Sequence, residues 1–288
     1  MTNSPTIHFK LHELADGVYA AVAAPGGAAY SNAGIIDLGD QTLVFDTFDQ
    51  PQAAEDLRDA AERLTGRPPT VVINSHQHSD HWGGNQLFVD APIIASHVAR
   101  EAMPAQAAEL TALQADPSPL EQQQAQVRDM LDAEKDPRRQ AEIRRQLRRL
   151  TYLLEALPMW HPTCPTASFD REMRFYGADR RAELAVPGHR RTPYVAHTPG
   201  DCFLTLPEEG ILFAGDLAFF GRQPYMGDSD PSSWRSALLM LEAAPYEVVV
   251  PGHGPLGGRA DLELERDYIA TLEGMVKEAL AAGEDVEA

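Results

Sequence analysis

Ser75 to Asn85 reads S-H-Q-H-S-D-H-W-G-G-N, with His76, His78, Asp80 and His81 packed into six residues. The apolar run Val71-Val72-Ile73 comes just before it. Alternatives to a metal site are few for a strand that delivers three imidazoles and a carboxylate at its carboxyl end. Both groups ligate divalent cations well.

Working outward, three other apolar runs end in the same residue types. Pro193 to Ala196 leads to His197, Ile211 to Ala214 to Asp216, and Val248 to Val250 to His253. Strand ends are where layered α/β folds build their sites. The set His76, His78, Asp80, His81, His197, Asp216 and His253 holds five imidazoles and two carboxylates. One tetrahedral ion takes only three or four ligands. Seven donors therefore predict two metals, about 3.5–4 Å apart and sharing a carboxylate. Imidazole and carboxylate suit Zn²⁺, with Mn²⁺ or Fe²⁺ as alternatives.

The rest of the chain reads as β-rich, then helical, then β-rich. Strands are expected at Val18–Val22, Asn32–Leu38, Thr42–Asp46 and Pro92–Ala95, with a helix from Ala54 stopped by Gly66 and Pro68. Residues 97–158 read as a helical insertion. One helix is expected to open with Ser118 as cap and another with Asp136-Pro137. Ile143, Leu147, Leu150, Leu154 and Leu157 form an apolar stripe, compatible with packing on the core, a cap over the cleft or a homodimer. Arg144, Arg145, Arg148 and Arg149 read as its solvated face. A last helix near Leu262–Leu280 should turn Ile269, Leu272 and Val276 inward. Helices separating strands predict mixed sheets covered by helices, an α/β sandwich forming a single domain over residues 1–288.

The 288 residues are 43% hydrophobic, enough for a sizeable core, and carry a net charge of −19. That charge argues against nucleic acid and anionic membranes as partners and says little about small-molecule substrates, the partner class expected for a metal site of this kind. Two cysteines and no apolar leader suit a cytoplasmic location.

The spaced motifs resemble the metallo-β-lactamase-fold hydrolase superfamily. Its H-x-H-x-D-H signature is His76-Gln77-His78-Ser79-Asp80-His81, followed by Gly83-Gly84-Asn85. His197-Thr198-Pro199-Gly200, Gly215-Asp216 and Pro251-Gly252-His253-Gly254 match its later segments. The resemblance implies a four-layer αββα sandwich with 97–158 as a variable insertion. It implies His76, His78 and His197 on one metal, Asp80, His81 and His253 on the other, and Asp216 between them. It further implies a metal-bridging hydroxide attacking a carbonyl, with Asp80 as the catalytic carboxylate. Aspartate rather than cysteine at 216 resembles the branches that cleave esters, lactones and thioesters. β-Lactam amides and a mononuclear iron oxygen enzyme are the alternative activities. Trp82, Arg222 and Tyr225 are the candidate substrate contacts, and His189 reads as an exposed turn residue with a contact to the site as the alternative.

Overall fold

The computed structural model describes residues 6–189 and 192–283. The first sheet takes β1 (Phe9–Ala15), β2 (Val18–Ala23), β3 (Ala33–Asp37), β4 (Thr42–Phe45), β5 (Val71–Ile73), β6 (Ile93–Ser96) and β7 (Ala167–Phe169) side by side in chain order. Pairing is antiparallel as far as β4 and parallel from there to β7. Parallel neighbours need crossovers. The first is α1 (Pro51–Thr65), with proline in its first turn and Gly66 at φ 73° ending it. The second contains the short α2 (Ser79–Trp82). The third, from β6 to β7, is α3 (His97–Ala115), α4 (Ser118–Ala133) and α5 (Pro137–Ala156). The helical segment is thus one enlarged crossover.

The second sheet contains β8 (Glu172–Tyr176) and β9 (Arg181–Ala185). A two-strand hairpin, β10 (Gly188–His189) with β11 (Thr192–Pro193), leads on to β12 (Phe203–Leu206), β13 (Ile211–Phe219) and β14 (Val248–His253). Its order is β14-β13-β12-β9-β8. The crossover between the parallel strands β13 and β14 is α6 (Pro231–Glu242), and α7 (Arg259–Ala281) follows β14.

Side-chain alternation in the strands creates the layers. Ile36, Leu43 and Ile73 face inward and meet Leu184, Leu204 and Phe213 of the second sheet. Their neighbours Ile35, Val44 and Val72 face outward, under Ala54, Leu57 and Ala61 of α1. On the far side Phe203, Leu212 and Val249 lie beneath Trp234 and Leu238 of α6 and Leu262 and Ile269 of α7. The result is the expected αββα sandwich. Each fully buried Leu, Ile or Phe contributes roughly 1.5–3 kcal/mol.

Several local expectations change. β13 does not stop at Asp216 but continues to Phe219, its register broken around Gly215 at φ 55°. Asp216 therefore sits at a kink inside a strand. The strand expected over Pro193–Ala196 is confined to Thr192–Pro193, and His197 is reached through a loop. Ser118 is the first residue of α4 and Pro117 takes the cap position, whereas Asp136 does cap α5, accepting from Arg138 N at 2.9 Å. On α7, Ile269 is buried, whereas Leu272 is part-buried and Val276 is exposed. The side chain of His189 lies outside the described residues.

Candidate metal centre

The ligand stretch leaves β5 and bends immediately into α2. His78 takes the cap position, placing Asp80 and His81 on the first turn beside His76. His197 enters from the loop before β12, Asp216 from the kink in β13, and His253 from the end of β14. The kink needs Gly215 for its positive φ. It also needs Gly252, because a Cβ there would collide with the Asp216 carboxylate and lie 2.8 Å from the Gly215 carbonyl carbon.

The seven side chains come together as two adjoining groups. His76, His78, His197 and Asp216 form one, and Asp80, His81 and His253 the other. Asp216 faces both. Its Oδ2 lies 3.3 Å from His197 Nε2, 3.7 Å from His76 Nε2 and 3.4 Å from His253 Nε2, and its Oδ1 lies 3.0 Å from His81 Nε2. Asp80 Oδ2 lies 3.2 Å from His253 Nε2 and 3.6 Å from His81 Nε2.

Whether this cluster suits cations is answered by the outer nitrogens. His78 Nε2 lies 2.8 Å from Asp228 Oδ2, and His81 Nδ1 lies 2.7 Å from Asp46 Oδ2. His197 Nδ1 lies 3.0 Å from the Tyr225 carbonyl, His253 Nδ1 3.1 Å from the Tyr30 carbonyl, and His76 Nδ1 3.0 Å from Ser75 Oγ. Carboxylates and carbonyls only accept, and the Ser75 hydroxyl gives its proton to Asp46 Oδ2, so these rings donate outward and turn lone pairs inward. His78 Nδ1 and His197 Nε2 then face each other at 2.9 Å, a repulsive pair unless a cation lies between them. His76 Nε2 is buried with no hydrogen-bond partner among the described residues, and His81 Nε2 and Asp216 Oδ1, though 3.0 Å apart, are not aligned for a hydrogen bond. Such orphans are costly unless ligated.

The electrostatics agree. Burial pulls His81 and His253 down, but Asp216 and its neighbouring carboxylates push His81 well above the usual histidine range and His253 up to about 9. Burial would raise Asp216, yet His253 and His81 hold it well below the usual carboxylate range. Burial carries His197 down to about 4 against the pull of Asp216. The carboxylates demand positive charge at the centre, and burial keeps the His76 and His197 rings neutral, as ligation requires.

The centre opens into a cleft of about 740 Å³. His78, Asp80, Asp216 and His253 form its floor, while Arg222 and Tyr225 stand at its side. The insertion packs on the main body through Ala99, Met103 and Leu157 against Trp82 and Ala95, and lends the cleft a wall of Leu110, Leu113 and Leu153. Trp82 is fully buried, donating Nε1–H to the Gln77 carbonyl at 2.6 Å and packing under Ala99 and Met103. It cannot touch a substrate. The expectation that Arg149 belongs to a solvated face also fails. Its guanidinium lies over the Tyr30 ring, 3.7 Å from the centroid, inside the cleft.

Sequence reasoning missed Asp46, Asp228, Tyr30 and Arg149. Asp46 had a readable signal, a polar residue closing β4 beside the ligand strand. Asp228 and Tyr30 lie on loops without periodicity, and Arg149 looks like any exposed position of a basic helix.

Residues 26–169 and 178–253 match the family described as the metallo-beta-lactamase superfamily. Among solved structures, a metallo-beta-lactamase from Pontibacter korlensis is similar at 18% identity, covering 91% of this chain and 99% of that one with a TM-score of 0.62. At that identity the likeness concerns the fold. The fold and the paired His/Asp clusters support a metal-dependent hydrolase with a dinuclear centre, and the chain belongs to the metallo-β-lactamase superfamily.

Proposed function

We propose that the protein is a dinuclear zinc hydrolase of a small ester, lactone, thioester or amide. The observation that carries this reading is the inward convergence of seven donors, the outer nitrogens of all five imidazoles being already committed, at an open cleft. His76, His78 and His197 would hold one cation and Asp80, His81 and His253 the other, with Asp216 shared. Cations there supply Lewis acidity for the carbonyl and lower the pKa of water.

The chain's own residues do the rest. Asp80 is part exposed on the cleft floor, and its backbone carbonyl is tied to Ser31 Oγ at 2.6 Å. Its Oδ2 is turned to His253 and its Oδ1 has no partner among the described residues. Oδ1 is therefore available to orient the nucleophile and then to hold the proton delivered to the leaving group. Tyr225 fixes His197 through its carbonyl and presents its ring 5.7 Å from that of His78, against the leaving-group side. The leucines of the insertion exclude water from that wall.

The test is a panel of aryl esters, lactones, thioesters and a chromogenic cephalosporin, assayed before and after chelation. Turnover that chelator abolishes and zinc restores supports the reading, and the preferred member names the carbonyl class. Activity that appears only with iron and consumes oxygen overturns it.

A further inference from the structure

Beside the metal cleft lies a second cavity of about 680 Å³. Tyr30, Arg149, Arg222 and Gln223 belong to the walls of both, so the two adjoin along these side chains and both arginines border the metal cleft itself. The second chamber has Arg145, Arg149 and Arg222 on its walls against a single acid, Glu142. In a chain with a net charge of −19, that is a local reversal of sign.

Two of these guanidiniums have donors to spare. Arg149 is held by the Tyr30 ring face, and Arg222 lies 5.8 Å from the same centroid. A ring face positions a guanidinium without using its N–H groups. The ion-pair partner of Arg149 is Asp49, whose Oδ2 is 3.5 Å away, well beyond the 2.7–2.9 Å of a charge-assisted bond. Its Nε is buried with no partner among the described residues. Arg222 makes no ion pair with any described residue. Among the more buried arginines, Arg67 and Arg58 are paired more closely, with Asp37 and Asp90, both at 2.5 Å. Glu109 and Asp228 also line the cleft, but Asp228 is committed to His78 and Glu109 stands exposed with no ion pair to either arginine. The Tyr30 carbonyl accepts from His253, so the arginine platform is fixed relative to the metal floor.

We propose that Arg149 and Arg222, flanking Tyr30, bind a carboxylate carried by the substrate away from its scissile carbonyl. The substrate class narrows to an acid-bearing ester, lactone, thioester or amide. This rests on the hydrolase reading for the scissile group alone. Guanidinium forks match a planar carboxylate, and the helical crossover contributes one of the two, which gives that insertion a role in selectivity.

The experiment is calorimetric binding of α,ω-dicarboxylates from adipate to suberate, and of their monoamides, to zinc-loaded protein of verified metal content. One carboxylate can reach the metals and the other the arginines. At the best chain length the diacid binds at least tenfold tighter than its monoamide. In the Arg149→Ala/Arg222→Ala double variant, with zinc content unchanged, that preference collapses. Arg149→Gln and Arg222→Gln alone each reduce it at least threefold. No preference in the wild type at any length overturns the proposal, as does a preference that survives in the variants. Tighter binding of an ω-phosphonate analogue reassigns the chamber to phosphate and also overturns it. A protein that binds diacids through these arginines yet hydrolyses nothing keeps the chamber and rejects the hydrolase.

Discussion

Replacing Asp46 by asparagine should cripple one metal position through a single misplaced proton. Asp46 is buried at φ 61°, a conformation aspartate tolerates better than most residues. Its Oδ1 accepts from Ser75 N at 2.7 Å, and its Oδ2 accepts from Ser75 Oγ at 2.8 Å and from His81 Nδ1 at 2.7 Å. Asparagine fills the same volume, but its amide can face only one way. Ser75 N–H requires the oxygen, so the NH₂ must point at His81 Nδ1. That nitrogen then has to accept, and the ring proton moves to Nε2, which points at Asp216 Oδ1. A protonated nitrogen cannot ligate. Removing the partner that orients a ligand typically costs 10–100-fold in affinity, or about 1.4–2.8 kcal/mol. The fold should survive, since asparagine is isosteric and in this orientation keeps a hydrogen bond to both Ser75 N and His81 Nδ1. Titration against a chromophoric chelator should show two tight sites in the wild type. In Asp46→Asn one site should weaken by that factor while the His76/His78/His197 site stays tight. Unchanged affinity at both sites would refute the tautomer argument.

Gly252→Ala places a methyl group against the Asp216 carboxylate and rigid backbone, so thermal unfolding should show a loss of about 2 kcal/mol or more together with lowered metal content. Trp82→Phe removes a buried hydrogen bond to Gln77. It should cost about 1–2 kcal/mol in denaturant unfolding and leave KM unchanged, whereas a raised KM would restore Trp82 as a substrate contact. Asp201 is pushed up to about 7 by burial, against the lowering effect of its bonds to Thr198. Its folded pKa exceeds the unfolded value, so the native state holds the extra proton and this group's contribution to stability falls as pH rises from about 4 to 7. In chelator-treated protein, Asp201→Asn should therefore be the more stable by about 2–4 kcal/mol at pH 8 and equal to the wild type below pH 4. A variant less stable at pH 8 would contradict this.

The clustering of the seven candidate donors was legible because metal chemistry restricts residue type and spacing together. Four donors within His76–His81 are hard to explain otherwise, and the apolar runs before Asp216 and His253 mark the strands that carry them. The layers were legible from alternation, as with Ile35 and Ile36 facing opposite sides of one sheet. What sequence could not show depends on contacts distant along the chain. Arg149 sits at a position with no local reason to be anything but solvated, until α5 folds back over Tyr30. Trp82 stands next to two ligands, yet its direction is set by Ala99 and Met103 on α3. The kink that puts Asp216 inside β13 needs Gly252 of a neighbouring strand as much as its own Gly215.

The central claim is a dinuclear centre bridged by Asp216, and metal stoichiometry tests it most directly. Native mass spectrometry and elemental analysis of the wild type should give two divalent cations per chain. Asp216→Ala removes the carboxylate that faces both groups, so occupancy of both positions should fall in parallel. A single cation in the wild type, or two cations retained at unchanged affinity in Asp216→Ala, would contradict the account.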